Sequence, residues 1–293
     1  MIKNTKQIPL LVLLLAPATI LFTFFVVFPV FRAAYFSFFK WNGLGPMKFK
    51  GIQNFVKLFS DPIFHKAFLH TVTATVVSLI VEIPLALLCA LIICNKSFKG
   101  AVLFRTFFFL PYVLSEVISG LLWQFIYNPL YGLIKTLYSV FAPNSVVAAP
   151  LANPSTVLWA IMVVIIWKYF GFHMSILIAG MQNIPDEVME AAVIDGANER
   201  QTTWKIILPL LKPTILVSVF FSIVGSFQLF DIIWAMGKGD PVNSAETLVT
   251  YLYKFGMQRF NIGYGSAVAV TIFLLCLIFS ILYSKTLLKS EDN

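Results

Sequence analysis

Five ionisable side chains lie inside long apolar stretches of this chain: Glu82, Glu116, Lys168, His173 and Asp231. A charge in hydrocarbon is costly, so each marks either a substrate path or a paired structural group. Glu116 and Lys168 fall near the middle of consecutive apolar stretches that must run antiparallel, and so reach a similar depth. They could neutralise each other as an ion pair or meet a polar substrate. Catalysis is poorly provided for. Only His173 of the three histidines lies in an apolar stretch, and neither H-E-x-x-H nor G-x-S-x-G occurs, so an embedded enzyme lacks its constellation. The phosphate loop G-x-x-x-x-G-K-[ST] is absent too, which leaves the chain without ATPase machinery. Cys89, Cys94 and Cys276 show no C-x-x-C or zinc-type spacing and read as packing residues.

A polar segment between two of the apolar stretches carries the most specific pattern. It reads Glu190-Ala191-Ala192-Val193-Ile194-Asp195-Gly196-Ala197, and Leu208-Pro209 and Pro213 follow it. The spacing predicts two short helices with a hinge. Pro185 fits a first helical position, Asp186 and Glu187 place negative charge at the positive helix end, and Gly196 can take the left-handed conformation that ends a helix. Ala191, Ala192 and Ala197 are small enough for a partner to approach closely. Beyond Asn198, an apolar stripe of Trp204, Ile207, Leu208 and Leu211 has helical spacing. Pro209 and Pro213 are expected to punctuate the entry into the next span.

The elements that must position these residues follow from composition. At 293 residues, 59% hydrophobic and 12% charged, the chain is outside the range of a soluble domain. Six stretches reach the roughly 20 residues needed to cross a hydrocarbon core: about 8–31, 71–94, 103–127, 156–180, 214–236 and 265–288. Backbone groups in lipid must be satisfied internally, so all six are expected to be helices of one all-α polytopic domain covering 1–293, with a loop at 181–213. Lys3, Lys6 and Ala16-Pro17-Ala18 mimic a secretory signal, but the apolar run continues through Phe31 and reads as a retained first span. The net charge of +8 is scattered through loops and forms no dense basic run, against nucleic acid as a partner. Lys and Arg are evenly divided between the two sides, with the N-terminal side holding them closer to span ends, a modest preference for that side as cytoplasmic.

The polar segment resembles the EAA loop of the membrane subunits of ABC importers, E-A-A-x-x-D-G-A, a spacer, then I-x-L-P-x-x-x-P, with Ile206 opening the second half. The resemblance extends to Phe49-Lys50-Gly51-Ile52-Gln53-Asn54-Phe55, Leu58-Phe59 and Asp61-Pro62-Ile63-Phe64, to Phe109-Leu110-Pro111-Tyr112, to Trp123 with Tyr127-Asn128-Pro129, and to Trp167. These motifs are similar to the carbohydrate-uptake branch, and to the larger membrane subunit of the maltose importer. His70-Thr71, where the family commonly has Asn-Thr, and Gly237-Lys238-Gly239-Asp240-Pro241 depart from the pattern.

What the resemblance implies is a type I importer permease of six spans in a bacterial-type cytoplasmic membrane, both termini cytoplasmic. Its partners would be a second permease subunit, an ATPase dimer, an external or periplasmic sugar-binding protein and membrane lipid. It implies no cofactor on this chain, ATP and magnesium being held by the ATPases. Glu190, Ala191, Ala192, Asp195, Gly196 and Ala197 would form the ATPase-coupling helix. Substrate-facing positions would include Tyr112, Glu116, Tyr169, Phe172, Ser222, Gly225 and Ser226. Aromatic faces suit apolar sugar faces, and hydroxyl and carboxylate groups suit sugar hydroxyls. Glu116 stands where the maltose relative has a hydroxyl. The expected function is import of a sugar or oligosaccharide. A glycerol-phosphate-type importer permease is one alternative. The other is a secondary transporter driven through Glu82, Glu116 or Asp231, although no internal repeat between the halves is evident.

Overall fold

The structure, a computed structural model, describes residues 8–94, 100–142 and 147–291. Lys3 and Lys6 lie outside the described residues. The chain falls into two compact units, Met1–Asp61 with Leu252–Leu275, and Pro62–Tyr251 with Cys276–Asn293.

In the first unit, helix α1 (Val12–Phe36) is long and apolar enough to span a membrane, and none of its most apolar window is buried within the chain. A short antiparallel hairpin follows, β1 (Phe39–Lys40) and β2 (Lys48–Phe49), with Phe39 opposite Phe49. Asn54 fixes it by donating from Nδ2 to the carbonyls of Ser37 (2.7 Å) and Phe39 (2.9 Å). Gly263 is required here, because a Cβ would sit 1.9 Å from the Phe39 carbonyl oxygen.

The second unit holds α2 (Pro62–Cys94), α3 (Ala101–Val113), α4 (Glu116–Ile126), α5 (Leu133–Phe141), α6 (Val157–Gln182), α7 (Asp186–Ile194), α8 (Glu199–Phe227) and α9 (Asp231–Gly237). The last helix, α10, runs Ile262–Glu291. Among the described residues five helices are long and apolar enough to cross a membrane, and there are six if the bent pair α3–α4 counts as one span.

Helix α6 is the axis of this unit, with 61% of its apolar window buried, and no other span approaches that share. Its first half packs Val157, Ile161, Val164 and Ile165 with Ile232 and Ile233 of α9. Its second half packs Phe170, Met174 and Leu177 with Ala86 and Ala90 of α2 and Leu211 of α8. The buried face of α2 is a stripe of mostly small residues at a spacing of four: Ala74, Ser78, Glu82, Ala86 and Ala90. Small side chains let helix backbones approach, which supplies van der Waals contact where lipid offers no hydrophobic advantage to association. Glu82 interrupts the stripe: its Oε2 is hydrogen-bonded within α2, and its Oε1 has no hydrogen bond but faces His173 of α6. Ser78 Oγ donates to its Oε2 (2.7 Å), His173 Nε2 lies 3.3 Å from its Oε1, and His173 Nδ1 lies 2.7 Å from Ser218 Oγ. These contacts link α2, α6 and α8, in keeping with the structural one of the two roles the sequence left open for Glu82 and His173.

Two of the six expected spans differ from the sequence-based expectation. The stretch 103–127 is not one straight helix: it bends by 98° between α3 and α4. Pro111 cannot supply the hydrogen bond that continues a helix, Leu114 and Ser115 are extended, and Ser115 caps α4 by accepting from Ile118 N (3.2 Å). The stretch 214–236 belongs instead to a helix that starts at Glu199 and stops at Phe227. Both prolines lie within it: Pro209 directly follows a π-helical turn at Thr203–Ile207, and Pro213 sits inside the regular helix after it. Asp231 therefore is not inside the fifth span; it opens the separate short helix α9.

Candidate functional site

The break between α3 and α4 leaves backbone carbonyls without helical partners, and Lys168 of α6 answers them. Its Nζ donates to the carbonyls of Leu114 (2.5 Å), Pro111 (3.3 Å) and Tyr112 (3.3 Å), and the side chain is 2% exposed. The expected alternative of a direct Glu116–Lys168 ion pair is not formed. Lys168 is taken by the carbonyls of the broken helix, and the Glu116 carboxylate accepts a short hydrogen bond from the Tyr169 hydroxyl. The sequence shows both charges but not the bend, and the bend supplies Lys168 with a different partner.

Around this bend the predicted aromatic residues come together. Tyr112 and Phe172 stack with centroids 4.7 Å apart and planes 18° apart, and Tyr169 sets its edge to Tyr112 at 6.2 Å. The three rings and Glu116 are all half-buried. The result is an aromatic shelf with one carboxylate at its end, built from α3, α4 and α6. Close helix approach makes it possible: Gly171 faces Phe108, and a Cβ there would lie 1.9 Å from the Phe108 carbonyl oxygen.

The three predicted residues of α8 are not brought onto the shelf by any hydrogen bond or ring contact among the described residues. Phe221, which sequence reasoning passed over, makes the link, its ring edge-on to Phe172 at 5.9 Å. Its neighbour Ser222 is buried and its hydroxyl has no hydrogen-bond partner, whereas Ser226 Oγ donates back to the Ser222 carbonyl (2.8 Å). Gly225 is exposed, and a Cβ there would meet nothing within 4 Å. An exposed gap at Gly225 beside a buried, unpartnered hydroxyl suits a wall that receives a polar ligand.

The second candidate site is the segment 185–198, at the far end of α6. Pro185 is the extended residue just before α7, not its first helical residue, and Asp186 and Glu187 occupy the first turn. Gly196, at φ +75°, ends the helix: its N–H donates to the Val193 carbonyl (3.0 Å), and that of Ala197 to the Ala192 carbonyl (2.9 Å). Asn198 and Gln201 then form a reciprocal cap, each side chain accepting from the other's backbone N–H at 2.9 Å, and α8 begins. Glu190, Ala191, Asp195 and Gly196 are exposed and Ala197 is half-buried. Ala192 turns inward and is 4% exposed. The surface feature that the motif alone does not announce is apolar: Val193 and Ile194 are 73% and 85% exposed, with Trp204 at 66% nearby in sequence. The exposed Val193 and Ile194 at the end of α7, between two spans, mark a protein-docking surface.

Spanning apolar helices, an aromatic shelf ending in a carboxylate and an exposed apolar knuckle between two spans are features of a membrane transport subunit. The chain belongs to the family of binding-protein-dependent transport system inner membrane components, whose model matches residues 82–286. It is 34% identical over 287 residues to the probable ABC transporter permease protein YurN of Bacillus subtilis (strain 168), covering 97% of each chain. It is 33% identical over 289 residues to the sulfoquinovosyl glycerol transport system permease protein SmoG of Agrobacterium fabrum (strain C58 / ATCC 33970), covering 97% of this chain and 91% of that one. Among solved structures, a bacterial ABC transporter involved in the import of the acidic polysaccharide alginate matches with a TM-score of 0.83 and 26% identity, over 98% of both chains. The chain is therefore an ABC importer permease subunit of the inner membrane with the type I fold, and not itself an enzyme. Such a permease works with a binding protein and an ATPase. Family membership sets aside the gradient-driven reading.

Proposed function

We propose that this chain is one half of a sugar or oligosaccharide pathway, paired with a second, similar permease and driven by an ATPase dimer that docks on Glu190–Ala197. The observation that carries the sugar reading is the shelf of Tyr112, Tyr169 and Phe172 ending in the Glu116 carboxylate. Aromatic faces receive the C–H face of a sugar ring while the carboxylate accepts from its hydroxyls. Ser222, Gly225 and Ser226 form the opposing wall. ATP and magnesium are held by the ATPase subunits, and this chain binds no cofactor. The coupling segment faces the cytoplasm, and so do both termini. An external sugar-binding protein delivers the substrate from the other side.

The deciding experiment is uptake of radiolabelled neutral oligosaccharides into vesicles carrying the assembled importer, with the binding protein outside and ATP inside. Uptake that requires both supports the reading. Transport of glycerol phosphate with no transport of any sugar would replace it with the glycerol-phosphate alternative.

A further inference from the structure

Helix α5 contains none of the residues proposed above for the pathway or for coupling, yet its pattern is the most sharply two-sided among the described helices. Leu133, Leu137, Val140 and Phe141 fall on one side of the helix, and Lys135, Thr136 and Ser139 on the other. Two further residues seat it on its own chain: Ile134 packs against the core around α6, and Tyr138 is half-buried. The four apolar residues of the stripe remain 46% to 80% exposed. A soluble loop helix would turn such a stripe inward.

The position of α5 says what covers the stripe. It lies between the end of α4 at Ile126 and the start of α6 at Val157, and α6 crosses once to reach α7, so α5 is at the membrane face opposite the coupling segment. The exposed apolar strip of α4 continues into it: Leu121 and Phe125 are 52% and 58% exposed, and the Phe125 ring meets that of Tyr131 at 5.4 Å. We propose that α5 lies flat in the lipid interface of that face, Leu133, Leu137, Val140 and Phe141 sunk among the upper acyl chains and Lys135 among the phosphates. A large apolar–polar asymmetry with a basic polar face is what such a position demands. The helix thereby holds the outer end of the bent α3–α4 pair at a fixed depth.

The test uses the whole importer in vesicles of phosphatidylethanolamine and phosphatidylglycerol containing a trace of phosphatidylcholine with a diazirine near the top of its acyl chain. After irradiation, mass spectrometry of the unsubstituted chain is expected to find lipid adducts on residues 133–141. Labelling of α1 and α10 with none on 133–141 would overturn the proposal. So would adducts there that disappear when the binding protein is added, which would assign the stripe to that protein. An independent reading places nitroxides at Leu137→Cys and Ser139→Cys in a Cys89→Ala, Cys94→Ala, Cys276→Ala background. The ratio of oxygen to nickel-complex collisions should be several-fold higher at 137 than at 139. Equal ratios, or a label at 137 shielded from both reagents, count against a lipid-seated helix.

Discussion

Lys168 and Glu116 show how a charge inside a membrane protein takes its role from the backbone around it. Lys168 is closed off on three carbonyls at the α3–α4 break, so it serves as a cap for a broken helix. Lys168→Met keeps most of the volume and strands those carbonyls, which should destabilise the protein by about 1–3 kcal/mol, the usual cost of unsatisfied buried polar groups. The check is thermal denaturation of the detergent-purified importer, and an unchanged midpoint would remove the capping role. Glu116 is different: it is half-buried, and Tyr169 holds it by a single hydroxyl. Glu116→Gln keeps the shape and one acceptor, so the denaturation midpoint should hold while half-saturation for the sugar rises. The loss of one charge-assisted hydrogen bond, about 1.5–3 kcal/mol, corresponds to a weakening of roughly ten- to a hundredfold. A variant that binds and transports sugar as before would place Glu116 outside the path.

At the scale of elements, two glycines separate packing from pathway. Gly180 of α6 faces Thr214 and Leu211 of α8, where a Cβ would come within 2.5 Å of Thr214 Oγ1. Gly180→Ala should pry the two helices that flank the coupling segment apart, lowering sugar imported per ATP hydrolysed. Thr214→Ala in the same chain should restore the ratio, because it removes the hydroxyl and methyl that collide. Gly225→Ala meets no atom and replaces glycine within a helix, so stability should hold or rise by up to about 1 kcal/mol. If Gly225 lines the path, uptake falls all the same, and a fall without loss of stability is the measurement that identifies it. The contrast also shows what could be read from sequence. Apolar run length announces five spanning helices and the stretch of the bent α3–α4 pair, and Gly196 with its preceding alanines announces the end of α7, because these depend on local composition. The 98° bend was not legible, since Pro111 is tolerated inside many helices and the extended pair Leu114-Ser115 carries no turn signal. The early start of α8 was hidden for the converse reason: Pro209 and Pro213 read as breaks, yet the helix runs through both, with a π-helical turn just before Pro209. Tyr112, Tyr169 and Phe172 came from resemblance. Phe221 could have been found by noting a ring one residue from Ser222.

Across the whole molecule, helix α6 carries Lys168, Tyr169 and Phe172 on one stretch and ends at Gln182, immediately before the coupling segment. At 1.5 Å per residue Phe172 and the end of this rod at Gln182 are about 15 Å apart. On the proposed function, a push on α7 passes through the three residues 183–185 to the helix that holds the shelf. The contact that delivers the push should be the exposed pair Val193 and Ile194, since apolar side chains central to a docking surface carry most of its binding energy. Ile194→Asp, at a position 85% exposed, should leave the chain folded and inserted but cut its association with the ATPase by about 2 kcal/mol or more, roughly thirtyfold. Co-purification with the ATPase and sugar uptake should fall together, while collapsing the membrane's ion gradients should leave uptake by the unsubstituted importer intact. Uptake that survives loss of the ATPase, or stops when the gradients do, would place the energy source elsewhere and deny α6 its role as the connecting rod.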